Sequence, residues 1–291
     1  HLTLFQRTAQ WVMPQDNPAY SEEERASFRD DPSTAAALHD EISELFANGF
    51  SNAVVDADSE LLHKIEETCR LNLEESVTDP VLREQLRPDY RAACKRLVIS
   101  PNFYEGIQKT NASLVTETIT EVEANGVRTA DGQYHELDVL IVATGFQVDR
   151  FLRPIDVVNP DGLHLSEAWA QRPNAYLSVA VPGFPNLFML NGPNGPVGNF
   201  SLIEVAELQF AYFAQLIELL RSGEAEALSP TFEATKAFEG ERVEQAKKTV
   251  WATGCRSWYL DDRGIPAAWP WTFQKFRDAM TQPDLAHYQK K

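Results

Sequence analysis

The sequence is short of positive charge, of cysteine and of long apolar runs. Against 43 acidic residues stand 26 Lys and Arg, a formal net charge of −17. A surface of that sign repels nucleic-acid phosphates and anionic membranes, so any anionic ligand needs a local cluster of cations. Nucleic-acid binding is therefore set aside. No window approaches 18 consecutive apolar residues, and no basic stretch leads an apolar core with a cleavage site; the chain reads as cytoplasmic, with no membrane partner. The three cysteines, Cys69, Cys94 and Cys255, form no C-x-x-C, and no two of the six histidines lie four residues apart. No metal site is expected. A G-x-G-x-x-G phosphate loop is absent too.

What remains is 291 residues, 43% of them hydrophobic, or about two domains at roughly 150 residues each. The chain begins with Leu2-Thr3-Leu4-Phe5-Gln6, strand-like and with no preceding turn, as if in the middle of a fold; an upstream half is expected. From Pro14 to about Tyr90 the pattern is helical and acidic, with apolar stripes at Leu38, Ile42, Leu45 and Phe46 and at Leu61, Leu62, Ile65, Cys69, Leu73 and Val77. Asp79-Pro80 reads as a cap and a first-turn proline. After Arg91 the period becomes two: strands are expected at Leu97–Ser100, Ala112–Val115, Thr118–Val122, Gly126–Thr129 and Tyr134–Leu137. Val139-Leu140-Ile141-Val142 reads as a strand buried on both faces, ending in Ala143-Thr144-Gly145. Further strands are expected at Tyr176–Val181 and Leu187–Leu190. Ser201 and Glu204 then open a helix to about Arg221 as a capping box; another helix spans 231–253, and an aromatic tail follows.

Several positions carry chemical meaning. Small residues at Thr144-Gly145 permit close approach of a ligand at a strand's carboxyl end. The Gly192-Pro193-Asn194-Gly195 loop ahead of a capped helix offers free N–H groups and the positive end of a helix dipole. Arg7-Thr8 follows the opening strand with no acid before Pro14, the composition expected where a 2′-phosphate of NADP is read. Lys95-Arg96 enters a strand on this reading, so their side chains point to opposite faces and serve two sites.

Five ordered motifs, Phe5-Gln6-Arg7-Thr8, Lys95-Arg96-Leu97, Ala143-Thr144-Gly145-Phe146, Gly183-Phe184-Pro185-Asn186-Leu187-Phe188 with Asn191-Gly192-Pro193, and Ser257-Trp258-Tyr259, resemble those of flavin-dependent monooxygenases. The similarity is to Baeyer–Villiger monooxygenases of the single-chain FAD and NADPH type, and to their C-terminal portion. The resemblance implies an α/β fold, part of a two-dinucleotide-binding-domain flavoprotein. Residues 1–14 and 91–131 would belong to the NADP-binding domain, 15–90 to a helical insertion, and 132–291 to the FAD-binding domain with the aromatic tail lining part of the substrate pocket.

It also implies roles. Arg7, Thr8 and Lys95 would hold the NADP 2′-phosphate, Thr144 and Gly145 would lie by the FAD, Gly192, Pro193 and Asn194 near the flavin ring, and Trp258 on the nicotinamide side. Arg96 would be catalytic. NADPH would reduce FAD, O2 would form a peroxyflavin, and a ketone or soft heteroatom would be oxygenated, with the missing N-terminal half as the remaining partner. Two alternatives stand beside this: a relative of the pyridine-nucleotide-disulfide reductases, or a truncated, non-catalytic binding module.

Overall fold

Between residues 15 and 90 the apolar periodicity folds as four helices, α1 (Glu22–Asp30), α2 (Pro32–Phe46), α3 (Glu60–Ser76) and α4 (Pro80–Gln85), in a computed structural model that describes residues 1–291. Their starts follow from local chemistry. Ser21 and Glu24 form a reciprocal capping box at α1, Asp31 accepts from the Ser33 amide at α2, and Asp79 accepts from the Val81 amide at 2.8 Å while Pro80 occupies the first turn of α4. α2 runs on into one π-helical turn, Ala47–Ser51.

Four short strands, β1 (Leu2–Phe5), β2 (Val12–Met13), β3 (Val98–Ile99) and β4 (Ala112–Val115), make two parallel pairs, β1 with β4 and β2 with β3. The register of the first runs from Leu2 opposite Ala112 to Phe5 opposite Val115. β5 (Ile119–Glu123), β6 (Gly126–Thr129) and β7 (Tyr134–Glu136) form the expected antiparallel meander. Its second turn has Gly132 at φ +85°, a conformation glycine adopts without steric cost.

Two compact units result, and they are cut differently from the sequence-drawn domains. One comprises His1–Ala19 and His63–Phe146, the other Tyr20–Leu62 and Gln147–Lys291. The stretch 15–90 is thus divided: α1 and α2 join one unit, α4 and nearly all of α3 the other. Residues 132–146 stay with the first. Which layer an apolar helix face meets decides membership, not adjacency in the chain. The first unit's core joins Leu73 and Val77 of α3 and the region just after it, Leu86, and Tyr104 and Ile107 of α5 (Phe103–Ile107) to Val12, with Leu4, Val98 and Leu114 packed against them.

The run Val139–Val142 departs from expectation. It is unpaired, and its four residues are 75%, 42%, 80% and 69% exposed. A parallel strand is held by neighbours on its edges and layers on its faces; the sheets of this chain offer this run neither.

The second unit is built on α7 (Leu202–Arg221), with α6 (Leu165–Ala168) before it and β8 (Leu228–Pro230), α8 (Phe232–Ala246), α9 (Phe273–Thr281) and β9 (Tyr288–Lys290) after it; β8 and β9 pair antiparallel. α8 stops at Ala246, short of the expected 253, and a 3₁₀ turn, Val250–Ala252, follows. Tyr176–Val181 and Leu187–Leu190 are not strands but carry isolated bridges, because Leu177 and Ser178 take φ of +51° and +64° and turn the chain. In the aromatic tail, Trp269, Phe273 and Phe276 are buried with Tyr212 and Leu216 of α7.

Half of the expected box at α7 is made. Ser201 Oγ accepts from the Glu204 amide at 3.4 Å, but the Glu204 carboxylate turns to Arg277 at 3.0 Å and to Ser43 Oγ at 2.8 Å. Ser201→Ala is expected to cost about 1 kcal/mol, read as a lower denaturant midpoint with an unchanged slope. An unchanged midpoint would remove the cap from the account of this helix.

Candidate functional site

In the first unit the chain turns after β1, and Arg7 stands exposed with Thr8 half-buried behind it. A chain of hydrogen bonds ties this turn to the segment before β3. The Gln10 side-chain amide donates to the Thr8 carbonyl at 3.1 Å, the Tyr90 hydroxyl donates to Gln10 Oε1 at 3.3 Å, and Trp11 Nε1 donates to the Tyr90 carbonyl at 2.7 Å. Lys95 Nζ lies 4.5 Å above the Tyr90 ring, a cation–π contact. Burial lowers the Lys95 pKa; Asp89 opposes that shift, and the charge of Arg7 adds to it. Arg7 and Lys95 are therefore near enough to repel, and two cations held together against a strongly acidic background suit an anion.

Arg96 is exposed and has no salt-bridge partner. The alternation argument for Lys95 and Arg96 does not hold. Both precede β3, in a bend that follows Ala93 at φ +63°, so no pleat sets their directions. Thr144 and Gly145 follow the unpaired apolar run, are exposed, and have Gly145 at φ +94°.

The second unit holds the glycine loop. Asn191 and Asn194 take φ of +51° and +67°, and a Cβ on Gly192 or Gly195 would strike Ser178. Glycine is required there by close approach. Ser178 Oγ donates to the Gly192 carbonyl at 2.6 Å, the Trp269 amide donates to the Gly195 carbonyl at 3.0 Å, and the Asn194 side-chain amide donates to the Ala267 carbonyl at 3.2 Å. The loop runs into the N-terminus of α7, whose backbone donors and dipole favour negative charge.

Asn191, Asn194 and Asn199 each keep a buried side-chain oxygen without a donor. Buried polar atoms seldom go unpaired unless a ligand, ion or water completes them. Trp258 is 41% exposed and stacks on Tyr259 at 4.1 Å, which stacks on Trp251 at 5.1 Å. A Cβ on Gly198 would strike the Tyr259 ring, so the loop and the Trp258 segment are in direct contact.

The structure thus gathers Arg7, Thr8 and Lys95 in one unit, and Gly192, Pro193, Asn194 and Trp258 in the other. Residues missed in the sequence include Gln10 and Tyr90, which lack any motif, and Gln209. The last had a signal: a lone amide in the apolar stripe Val205, Tyr212, Phe213 and Leu216 of α7.

No family model matches the chain. It is 42% identical over 278 residues to an uncharacterized monooxygenase of Mycobacterium tuberculosis, covering 95% of this chain and 55% of that protein. It is 37% identical over 294 residues to a Baeyer–Villiger monooxygenase of Streptomyces coelicolor, covering 99% and 56%. The fold matches the closed crystal structure of a cyclohexanone monooxygenase with a TM-score of 0.82 at 27% identity, and the NADP+-bound cyclohexanone monooxygenase of Rhodococcus sp. Phi1 with a TM-score of 0.82 at 26%; each match spans all of this chain and 62% of the other. The chain spans about half the length of the curated relatives it matches. In sequence and in fold, the chain is similar to Baeyer–Villiger monooxygenases and matches the C-terminal portion of those proteins.

Proposed function

We propose that this chain forms part of an FAD- and NADPH-dependent monooxygenase that inserts one oxygen atom from O2 into a ketone or oxidises a soft heteroatom, acting in the cytoplasm. The observation that carries this reading is the Asn191–Gly198 loop: closely packed glycines, two buried amide oxygens without a donor with a third on Asn199 just after it, and the start of a 20-residue helix. A flavin offers both N–H and O–H donors for such oxygens and a ring system that gains negative charge on reduction. The names of the relatives point the same way, among them an FAD-binding monooxygenase of Dothistroma septosporum at 30% identity. No helix is long and apolar enough to cross a membrane.

When bound, FAD reduced by NADPH supplies the activation of O2. The rest falls to the residues. Gly192, Pro193 and Asn194 would lie near the flavin ring, and Thr144 and Gly145 would lie by the FAD. Arg7, Thr8 and Lys95 would hold the 2′-phosphate, and Trp258 would lie on the nicotinamide side. Arg96 would supply a permanent positive charge beside the oxygen-transfer site. The test is an absorption spectrum of the purified full-length protein with NADPH-dependent O2 uptake. Bound oxidised flavin and product from a ketone are expected; a colourless protein would overturn the reading.

The nucleotide preference follows from the basic corner. Arg7→Ala is expected to raise KM for NADPH by about 10- to 100-fold, the loss of a charge-assisted phosphate contact of about 1.5–3 kcal/mol. KM for NADH should stay within a factor of two or so. Equal losses for both would remove Arg7 from the phosphate site.

A further inference from the structure

We propose that Gln209 is a positioning residue: it holds the Asn191–Asn194 loop in the conformation that receives the flavin. This rests on the reading that places the loop beside the ring. Gln209 sits in α7 with no solvent exposure, in the stripe of Val205, Tyr212, Phe213 and Leu216. A side-chain amide there is costly unless both of its ends are bonded. Both are. Its Oε1 accepts from the Asn191 amide at 2.6 Å, and its Nε2 donates to the Ser178 carbonyl at 3.3 Å.

The two backbone positions it grips are the unfavourable ones. Asn191 and Ser178 lie at φ +51° and +64°, a region that costs non-glycine residues and persists only where the surroundings impose it. Ser178 Oγ closes the circuit by donating to the Gly192 carbonyl at 2.6 Å. One planar group with an acceptor and a donor therefore clamps both sides of the turn, and a terminal amide meets that demand while an aliphatic side chain does not. The anchor is also rigid. α7 is a long, capped helix with its inner face in the core, so the loop is indexed to a fixed element rather than to another loop. The unpaired oxygens of Asn191 and Asn194 sit on the segment thus held.

The experiment uses the full-length protein loaded with FAD, with Gln209→Met and Gln209→Glu compared with the parent. Met keeps the volume and makes neither bond. FAD should bind about tenfold more weakly, the visible flavin band should shift, and hydrogen exchange at the Asn191 amide should rise about tenfold, with α8 and α9 protected as in the parent. A buried Glu is neutral at low pH and then offers an acceptor and an O–H donor, as Gln does; ionised, it cannot donate. The ratio of its FAD affinity to the parent's should be near one at pH 5 and fall about tenfold by pH 9, a dependence that a merely structural role would not produce. A parental flavin band and affinity in Gln209→Met, or a ratio that does not change with pH in Gln209→Glu, would overturn the proposal. A parent protein that binds no FAD would instead overturn the functional reading, and the proposal with it.

Discussion

Replacing Arg242 with Met should destabilise the second unit by about 3–5 kcal/mol, the usual result of leaving a buried charge without its partner. The Arg242 side chain is 1% exposed. Its Nε and Nη2 donate to Glu239 at 2.7 and 3.0 Å, and its Nη1 donates to the Pro266 carbonyl. Arg263 also reaches Glu239 at 3.2 Å, but it is mostly engaged by Asp261 at 2.6 Å. Without Arg242, the Glu239 carboxylate keeps only Arg263, which it shares with Asp261, and the Pro266 carbonyl loses its guanidinium donor. For a unit of this size the loss corresponds to a fall in Tm of about 10 °C.

The effect should reach the site. Pro266 bridges to Leu260, and the Ala267 amide donates to the Tyr259 carbonyl at 2.7 Å, so Arg242 pins the segment that carries Trp258. The pH dependence has a defined sign. Burial alone would raise the Glu239 pKa, but the hydrogen bonds and charge of Arg242, with those of Arg263, outweigh it and hold it below the ordinary value of 4.5. A folded-state pKa that is depressed contributes stability above the unfolded value and loses it as pH falls through the folded one. The gap between parent and Arg242→Met should therefore be full at pH 7 and narrow below about pH 4.5. A gap under 1 kcal/mol at pH 7 would show that the pair is dispensable.

Under the proposed function, Arg96→Ala should lower kcat for ketone oxygenation by about 10²- to 10³-fold, or about 2.7–4 kcal/mol, the cost of removing one donor aimed at developing negative charge. The residue is free to act there: in a chain with 43 acids it is exposed and unpaired, and it follows Lys95 at the corner that suits the cofactor phosphate. A guanidinium stays protonated when water is excluded, whereas an ammonium can lose its proton, so Arg96→Lys should recover little. FAD content should remain parental. NADPH consumption, where it persists, should release hydrogen peroxide in place of ester. Parental product formation by Arg96→Ala in stopped-flow and product analysis would reduce Arg96 to a surface charge and take the chief support from ketone oxygenation.

Much of this is legible in the sequence, and for local reasons. The start of α4 at Asp79-Pro80, the Ser201 cap of α7, the meander β5 to β7 and the strands β1 and β4 each depend on side chains within a few residues. The motif residues around Arg7, Lys95, Gly192 and Trp258 were visible as well, since each is a short run of distinctive types. Other features were not. β2 and β3 are two residues long, below any periodic signal, and exist only because each pairs with the other. The sequence marks the region of α9 only as an aromatic tail, and what it does not state is that Phe273 and Phe276 form a helix face against Tyr212 and Leu216.

The sequence by itself determined where helices start, which segments alternate, the sign of the surface and the order of the chemistry-bearing motifs, because those follow from near neighbours and from composition. Only the tertiary structure decided that Val139–Val142 pairs with no strand of this chain, that residues 15–90 divide between two units, that Lys95 meets Tyr90 rather than a pleat, and that Gln209 bonds Asn191 and Ser178. Each of these depends on a partner distant in the chain. A strand, a buried amide or a displaced ammonium is stable or costly according to what lies across from it, and nothing in its own segment states what that will be.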